Sequence, residues 1–141
     1  MKNMKWIMSS VVAIALFAII FQSCKKDEPT AFTLSSLTAG GVDLNGASSA
    51  TGVPNDGDII ATFSTDVDGS TANSTNITLV RQYDGSPITV TVTTSGSTVT
   101  IAPDAELGNG SLYELSMAGL KSSDGQSLTT DDWGKRMPTT S

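Results

Sequence analysis

The segment Pro87-Ile88-Thr89-Val90-Thr91-Val92-Thr93-Thr94 alternates apolar and hydroxyl-bearing side chains. A period of two places Ile88, Val90 and Val92 on one face of an extended chain and the threonines on the other. One buried apolar face and one solvent-exposed polar face are typical of a strand in an antiparallel sheet. The segment therefore predicts a single β-strand over residues 87–94 and favours an all-β fold.

Turn signals flank this strand, and similar segments follow in both directions. Asp84-Gly85 precedes it and Ser95-Gly96 follows it, and each pair suits a tight hairpin turn. Further strands are predicted at 31–37, 58–64, 76–82, 98–101, 112–117 and 133–137, with a short strand at 42–44 inside an irregular connection. Some seven strands separated by turns within roughly 100 residues indicate an Ig-like Greek-key β-sandwich.

Alternation also predicts which side chains form the core. The inward positions of three strands are expected to be Ile59, Ala61 and Phe63; Ile77 and Leu79; and Tyr113, Leu115 and Met117. Leu107 lies in the loop between two predicted strands, and its side chain is expected to pack into the same core.

The N-terminus carries a different kind of signal. Lys2 and Lys5 precede an apolar run over residues 11–21, and Ser23 comes directly before Cys24, the only cysteine in the chain. A positive start, a short apolar stretch and a small residue are typical of a secretory signal peptide. A cysteine just past the small residue predicts a bacterial lipoprotein, cut between Ser23 and Cys24 and acylated on the Cys24 thiol. The alternative is an unmodified cysteine at a signal junction.

A transmembrane helix does not fit this segment, because a span needs roughly 20 apolar residues and the uninterrupted run is shorter. We therefore expect a helical signal peptide over residues 1–23, an acylated cysteine and polar tether over 24–30, and the β-sandwich over 31–141. The charged run 25–28 resembles a lysine-plus-acid export tag, which implies an outer-membrane, surface-exposed location. A charged, solvated spacer is the simpler interpretation of the same residues.

Composition excludes several functions. The chain has 14 acidic residues against 8 basic ones, a formal net charge of −6, whereas nucleic-acid binding needs clustered lysine and arginine. It has no histidine, so Ser-His or Cys-His catalysis lacks its base and a zinc site lacks its usual ligands. We expect neither an enzyme nor a cofactor.

Two weaker features have a functional and a structural interpretation. Asp56, Asp58, Asp66 and Asp68 form two Asp-x-Asp pairs around one strand and are weak calcium ligand candidates; aspartates that cap turns explain them equally. Tyr83 and Trp133 are candidates for stacking on a sugar ring, and core or edge packing is the alternative for each.

Several segments, in order, resemble the bacterial Ig-like domain of the SbsA (S-layer) type. They are Gly52-Val53-Pro54, Asp58 to Ser64, Val67-Asp68, Asn76 to Leu79, Ser97 to Pro103, Leu107 to Tyr113 and Lys121 to Leu128. The end departs from the family pattern, since Trp133 is followed by Gly134 and, later, Pro138, which weaken a strand. The last strand is therefore expected to be frayed or to lie at a sheet edge.

The resemblance implies a module without catalytic residues. Such domains are spacers, stalks and adhesion modules, so the leading hypothesis is a spacer or adhesion domain held on the membrane by its lipid. The alternative is a carbohydrate-binding surface lipoprotein that works beside glycan-degrading partners, with other surface proteins as further partners. A fibre subunit that exchanges an edge strand is a third hypothesis.

Overall fold

The computed structural model describes residues 28–46 and 50–139, and these residues form nine β-strands and one short 3₁₀ helix. In chain order the elements are β1 (Leu34–Ala39), β2 (Val42–Asp43), β3 (Ile59–Phe63), β4 (Thr78–Arg81), β5 (Pro87–Ile88), β6 (Val90–Ser95), β7 (Thr98–Pro103), β8 (Leu112–Ser116), the 3₁₀ helix (Thr130–Asp132) and β9 (Gly134–Pro138). The signal peptide, Cys24 and residues 25–27 predicted above lie outside the described residues.

The strands form two antiparallel sheets. One has the order β2-β1-β3-β7-β6, and the other has the order β5-β4-β8-β9. Only β2 and β5 are two residues long, which leaves seven longer strands, the predicted number. The prediction of an all-β, Ig-like sandwich is confirmed.

The core lies between the two sheets and contains the predicted side chains. Ile59, Ala61 and Phe63 of β3 are buried, as are Tyr113 and Leu115 of β8. Leu107, in the β7–β8 loop, is only 4% exposed. The alternation of apolar and polar residues identified these positions because each strand buries one face in the core.

The predicted strand over residues 87–94 is wrong in one respect. The structure divides it at Thr89: β5 pairs with β4 in one sheet, and β6 pairs with β7 in the other. Residues 87–95 therefore cross from one sheet to the other while remaining nearly extended. A strand that changes sheets keeps its alternation of buried and exposed side chains, so the alternation did not predict the division.

The first strand is also shifted relative to its prediction. Residues 31–37 were expected to form it, whereas β1 spans Leu34–Ala39 and Phe32 makes only an isolated bridge to Leu128.

The hairpin after β1 turns through Gly40, which has φ of 51°. A Cβ at position 57 would lie 2.5 Å from the Cα of Gly40, so this close contact between two backbone segments requires glycine at position 57.

The chain enters and leaves the sandwich at opposite ends. Phe32 bridges to Leu128, and the N–H of Leu34 donates to Oδ2 of Asp132, two residues before β9. Thr139, in contrast, follows the end of β9 and bridges to Val53. Five residues along β9 separate Gly134 from Thr139, which is roughly 17 Å in an extended strand. We call the Phe32 end the N-terminal end and the Thr139 end the C-terminal end.

The part of the chain that the structure describes contains no helix long and apolar enough to cross a bilayer. Its one helix has three residues.

Two neighbouring isoleucines of β3 test the assignment of its buried face. Ile59 is fully buried and Ile60 is 41% exposed. Ile59→Ala should lower the free energy of unfolding by about 2–5 kcal/mol, since it removes core volume. Ile60→Ala should lower it by less than about 1 kcal/mol. Urea denaturation of both variants measures the difference, and equal losses would contradict the assignment.

Candidate functional site

The β4–β5 hairpin forms a polar projection at the C-terminal end. The N–H of Arg81 donates to the carbonyl of Ser86, and the N–H of Gly85 donates to the carbonyl of Arg81, both at 2.9 Å. Gly85 has φ of 70°, the left-handed conformation predicted for this turn. The hydroxyl and the backbone N–H of Ser86 lower the pKa of Asp84 below its ordinary value, so Asp84 is a carboxylate that holds the turn.

Arg81 has an unused hydrogen-bond donor beside this turn. Its Nε is buried and makes no hydrogen bond to any residue that the structure describes. The nearest carboxylate oxygen, Oδ1 of Asp84, is 3.6 Å away, which is too far for a hydrogen bond. The side chain of Arg81 as a whole is 39% exposed, so a ligand can reach its other atoms although Nε itself is buried.

Tyr83 is the most exposed large apolar side chain of the described residues, at 93%. It borders a cleft of about 370 Å³ together with Arg81, Gln82 and residues 110–112. A second cleft of about 510 Å³ is also lined by Arg81 and includes Asp104 and Glu106 of the β7–β8 loop. Arg81 therefore contributes to two clefts at the C-terminal end.

The β7–β8 loop that forms one wall is fixed by hydrogen bonds. The N–H of Gly108 donates to the phenol oxygen of Tyr113 at 2.7 Å, and the hydroxyl of Thr139 donates to the carbonyl of Gly108 at 2.6 Å. Tyr113 is 1% exposed, so its ring is in the core while its oxygen holds the loop. This arrangement is the tyrosine corner of Ig-like sandwiches, which the sequence analysis missed because it assigned Tyr113 only to the core.

Trp133 lies at the opposite end of the molecule from Tyr83. The carbonyl of Trp133 accepts the N–H of Met117, whereas the N–H of Gln82 donates to the carbonyl of Leu112. Leu112 and Met117, just after β8, are five residues apart along the chain, or roughly 17 Å in an extended segment. The indole Nε1 of Trp133 already donates to the carbonyl of Leu128 at 2.9 Å. The two aromatic candidates therefore do not face the same sugar ring, and the geometry of Trp133 is that of an edge-packing residue.

The four aspartates proposed as calcium ligands do not form a cluster. Among residues 28–46 and 50–139, no three His, Cys, Asp or Glu side chains are close enough to hold a metal ion. Asp68 instead accepts hydrogen bonds from the N–H and the hydroxyl of Ser70, at 3.0 and 2.7 Å. These two bonds, the hydroxyl first, lower the pKa of Asp68. The geometry of Asp68 is that of a turn cap.

The chain belongs to the bacterial Ig-like domain family. The family model matches residues 42–133, from β2 to the residue before β9. The match agrees with the resemblance noted above. No curated protein is significantly similar in sequence.

Solved structures with a similar fold come from an S-layer protein. The N-terminal part of the bacterial S-layer protein SbsC superposes with a TM-score of 0.57 at 18% identity, over 79% of this chain and 24% of that one. Domains 1–6 of the surface layer protein SbsC give a TM-score of 0.54 at 18% identity, over 79% of this chain and 14% of that one. The chain thus spans about a quarter or less of the length of these structures, and the likeness concerns the fold.

The two tyrosines offer a matched test of the corner. Tyr113→Phe should lower the free energy of unfolding by about 1 kcal/mol, because it removes the acceptor for the N–H of Gly108. Tyr83→Phe, at a fully accessible position, should leave it within about 0.5 kcal/mol. Thermal unfolding followed by circular dichroism distinguishes the two; an unchanged Tyr113→Phe variant would show that the bond contributes nothing.

Proposed function

We propose that this protein is a non-enzymatic, lipid-anchored Ig-like module of the bacterial envelope that acts as a spacer. The observation that carries the proposal is that Phe32 and Thr139 lie at opposite ends of the sandwich. The chain leaves the predicted acylation site at Cys24 and reaches the sandwich at Phe32 within eight residues, whereas Thr139, the last described residue, lies at the opposite end. A module with this course holds its C-terminal end away from the membrane.

Two or more acyl chains support stable membrane attachment where one does not. The thioether-linked diacylglycerol expected on Cys24 supplies two. Attachment through the N-terminus directs the C-terminal end, with Arg81 and Tyr83, away from the bilayer. The charged residues after Cys24, from Lys25 to Glu28, support export to the outer face of the outer membrane.

The anchor is tested by removing the thiol. Cys24→Ser should abolish incorporation of a labelled fatty acid and release the protein from the membrane fraction, because no other cysteine can replace it. Thr30→Ala, in the same tether, should incorporate label as the original chain does. Equal labelling of the Cys24→Ser variant would disprove the anchor and leave the fold assignment intact.

A second function, glycan adhesion, is favoured by one specific observation. Tyr83 presents an accessible ring beside the side chains of Arg81 and Gln82, at the end that faces away from the anchor. Tyrosine and arginine are frequent binding anchors. An aromatic face with adjacent donors suits a hydroxyl-rich sugar, whereas Asp104 and Glu106 nearby disfavour an acidic one.

A glycan array measures this activity directly. Binding to a neutral glycan should be lost in Tyr83→Ala and retained in Trp133→Ala, because the two aromatics lie at opposite ends. The reverse result would place the site at Trp133. An array without hits would remove the adhesion function and leave the spacer.

A further inference from the structure

The four sheet edges of this sandwich differ in how they are protected from pairing with other chains. The edge strands β2 and β5 have two residues each, too short to be extended by another strand. β9 carries Lys135, Arg136 and Pro138, and charges and proline are the usual protection of an edge. The remaining edge, β6, has six residues, Val90–Ser95, with neither a charge nor a proline.

The backbone groups of β6 that do not bond to β7 can be identified from one hydrogen bond at its start. The N–H of Asp104 donates to the carbonyl of Thr89 at 3.0 Å, so Thr89 points its backbone groups toward β7. Successive residues of an antiparallel strand alternate in this respect. Thr91, Thr93 and Ser95 therefore bond to β7, while Val90, Val92 and Thr94 direct their N–H and C=O groups outward.

Two further observations agree that Val90, Val92 and Thr94 do not bond to β7. Val90 is opposite Pro103, which has no N–H to offer, as expected for a pair without hydrogen bonds. No backbone hydrogen bond outside the strand ladders joins Val90, Val92 or Thr94 to another segment in the part of the chain that the structure describes. The edge thus presents three unpaired N–H and three unpaired C=O groups.

We propose that β6 pairs with β6 of a second copy of this chain, antiparallel and about a two-fold axis at Val92. In this register Val92 bonds to Val92 of the second copy, and Val90 bonds to Thr94. Each such pair of residues exchanges two hydrogen bonds, so all the free groups of both edges are used. The two five-stranded sheets become one continuous sheet.

The side chains favour a second copy as the occupant. On the outer face, Thr91 lies opposite Thr93 of the second copy, and paired threonines across strands are favourable. The same two-fold pairing of β9 would bring Lys135 and Arg136 near their own copies, and like charges across strands are destabilising. β6 is therefore the edge of this chain that can pair with itself without charge repulsion.

The nearest carboxylate on the outer face does not oppose the pairing. Asp104 accepts the hydroxyl of Thr91 at 2.9 Å and lies one strand in from the edge. In the proposed register, three strand spacings and six residues separate the two copies of Asp104, or roughly 24 Å. This distance exceeds the Debye length at physiological salt, about 8 Å.

An introduced cysteine on the two-fold axis tests the pairing in the full chain. Hydrogen-bonded antiparallel partners have Cα atoms about 5.5 Å apart, within the range for a disulfide. Val92→Cys should therefore give a dimer on a non-reducing gel after mild oxidation. Arg136→Cys, at the middle of β9, should give no more dimer than the original chain, which measures any background from unacylated Cys24.

A charge variant makes the result specific to the register. Adding Thr91→Lys and Thr93→Lys to Val92→Cys places lysines opposite each other and should reduce the disulfide dimer roughly tenfold. Thr78→Lys, an exposed threonine of β4, should not. Circular dichroism of each variant confirms that it is folded. Absence of the Val92→Cys dimer, equal dimer with Arg136→Cys, or persistence despite both lysines would each overturn the proposal.

Discussion

Contact between the inner faces of two central strand pairs, β3–β7 and β4–β8, is the interaction on which the rest of the molecule depends. The side chains of these faces are almost completely buried; they include Ile59, Ala61, Val99, Ile101, Leu79, Tyr113 and Leu115. A chain with one cysteine cannot form an internal disulfide, so apolar burial and the strand ladders must stabilise the fold. The loops and the hairpin of the candidate site begin where these strands end, and their positions follow from this packing.

The alternation of apolar and polar residues predicted the buried faces, because an apolar side chain at every second position marks the buried side of a strand. It predicted Ile59, Phe63 and Leu115 correctly for this reason. The division of residues 87–94 at Thr89 was not predictable in the same way. Ile88 and Val90 point inward on both sides of the division, and only the non-local choice of neighbour, β4 or β7, distinguishes the two halves.

The geometry of the candidate site also depends on non-local strand pairing, and it was even less predictable from the sequence. Sequence identified Tyr83 and Trp133 as the aromatics to consider, but the register of β4 and β9 against β8 places them at opposite ends. Arg81 carried no signal as a single cation in a predicted strand. Its place in the candidate site became visible only when the fold put its side chain beside Tyr83 and in the lining of both clefts. Site composition was thus partly predictable, and site geometry was not.

The opposite positions of Phe32 and Thr139 have a mechanical consequence. A force that pulls these two residues apart draws β1 along its own axis past β3, and β9 along its axis past β8. The ladder hydrogen bonds lie perpendicular to the strands, so this force loads them in shear and all together. A hairpin pulled from one end would instead open one bond at a time. The topology therefore gives a small domain without a covalent cross-link the loading geometry that best resists extension.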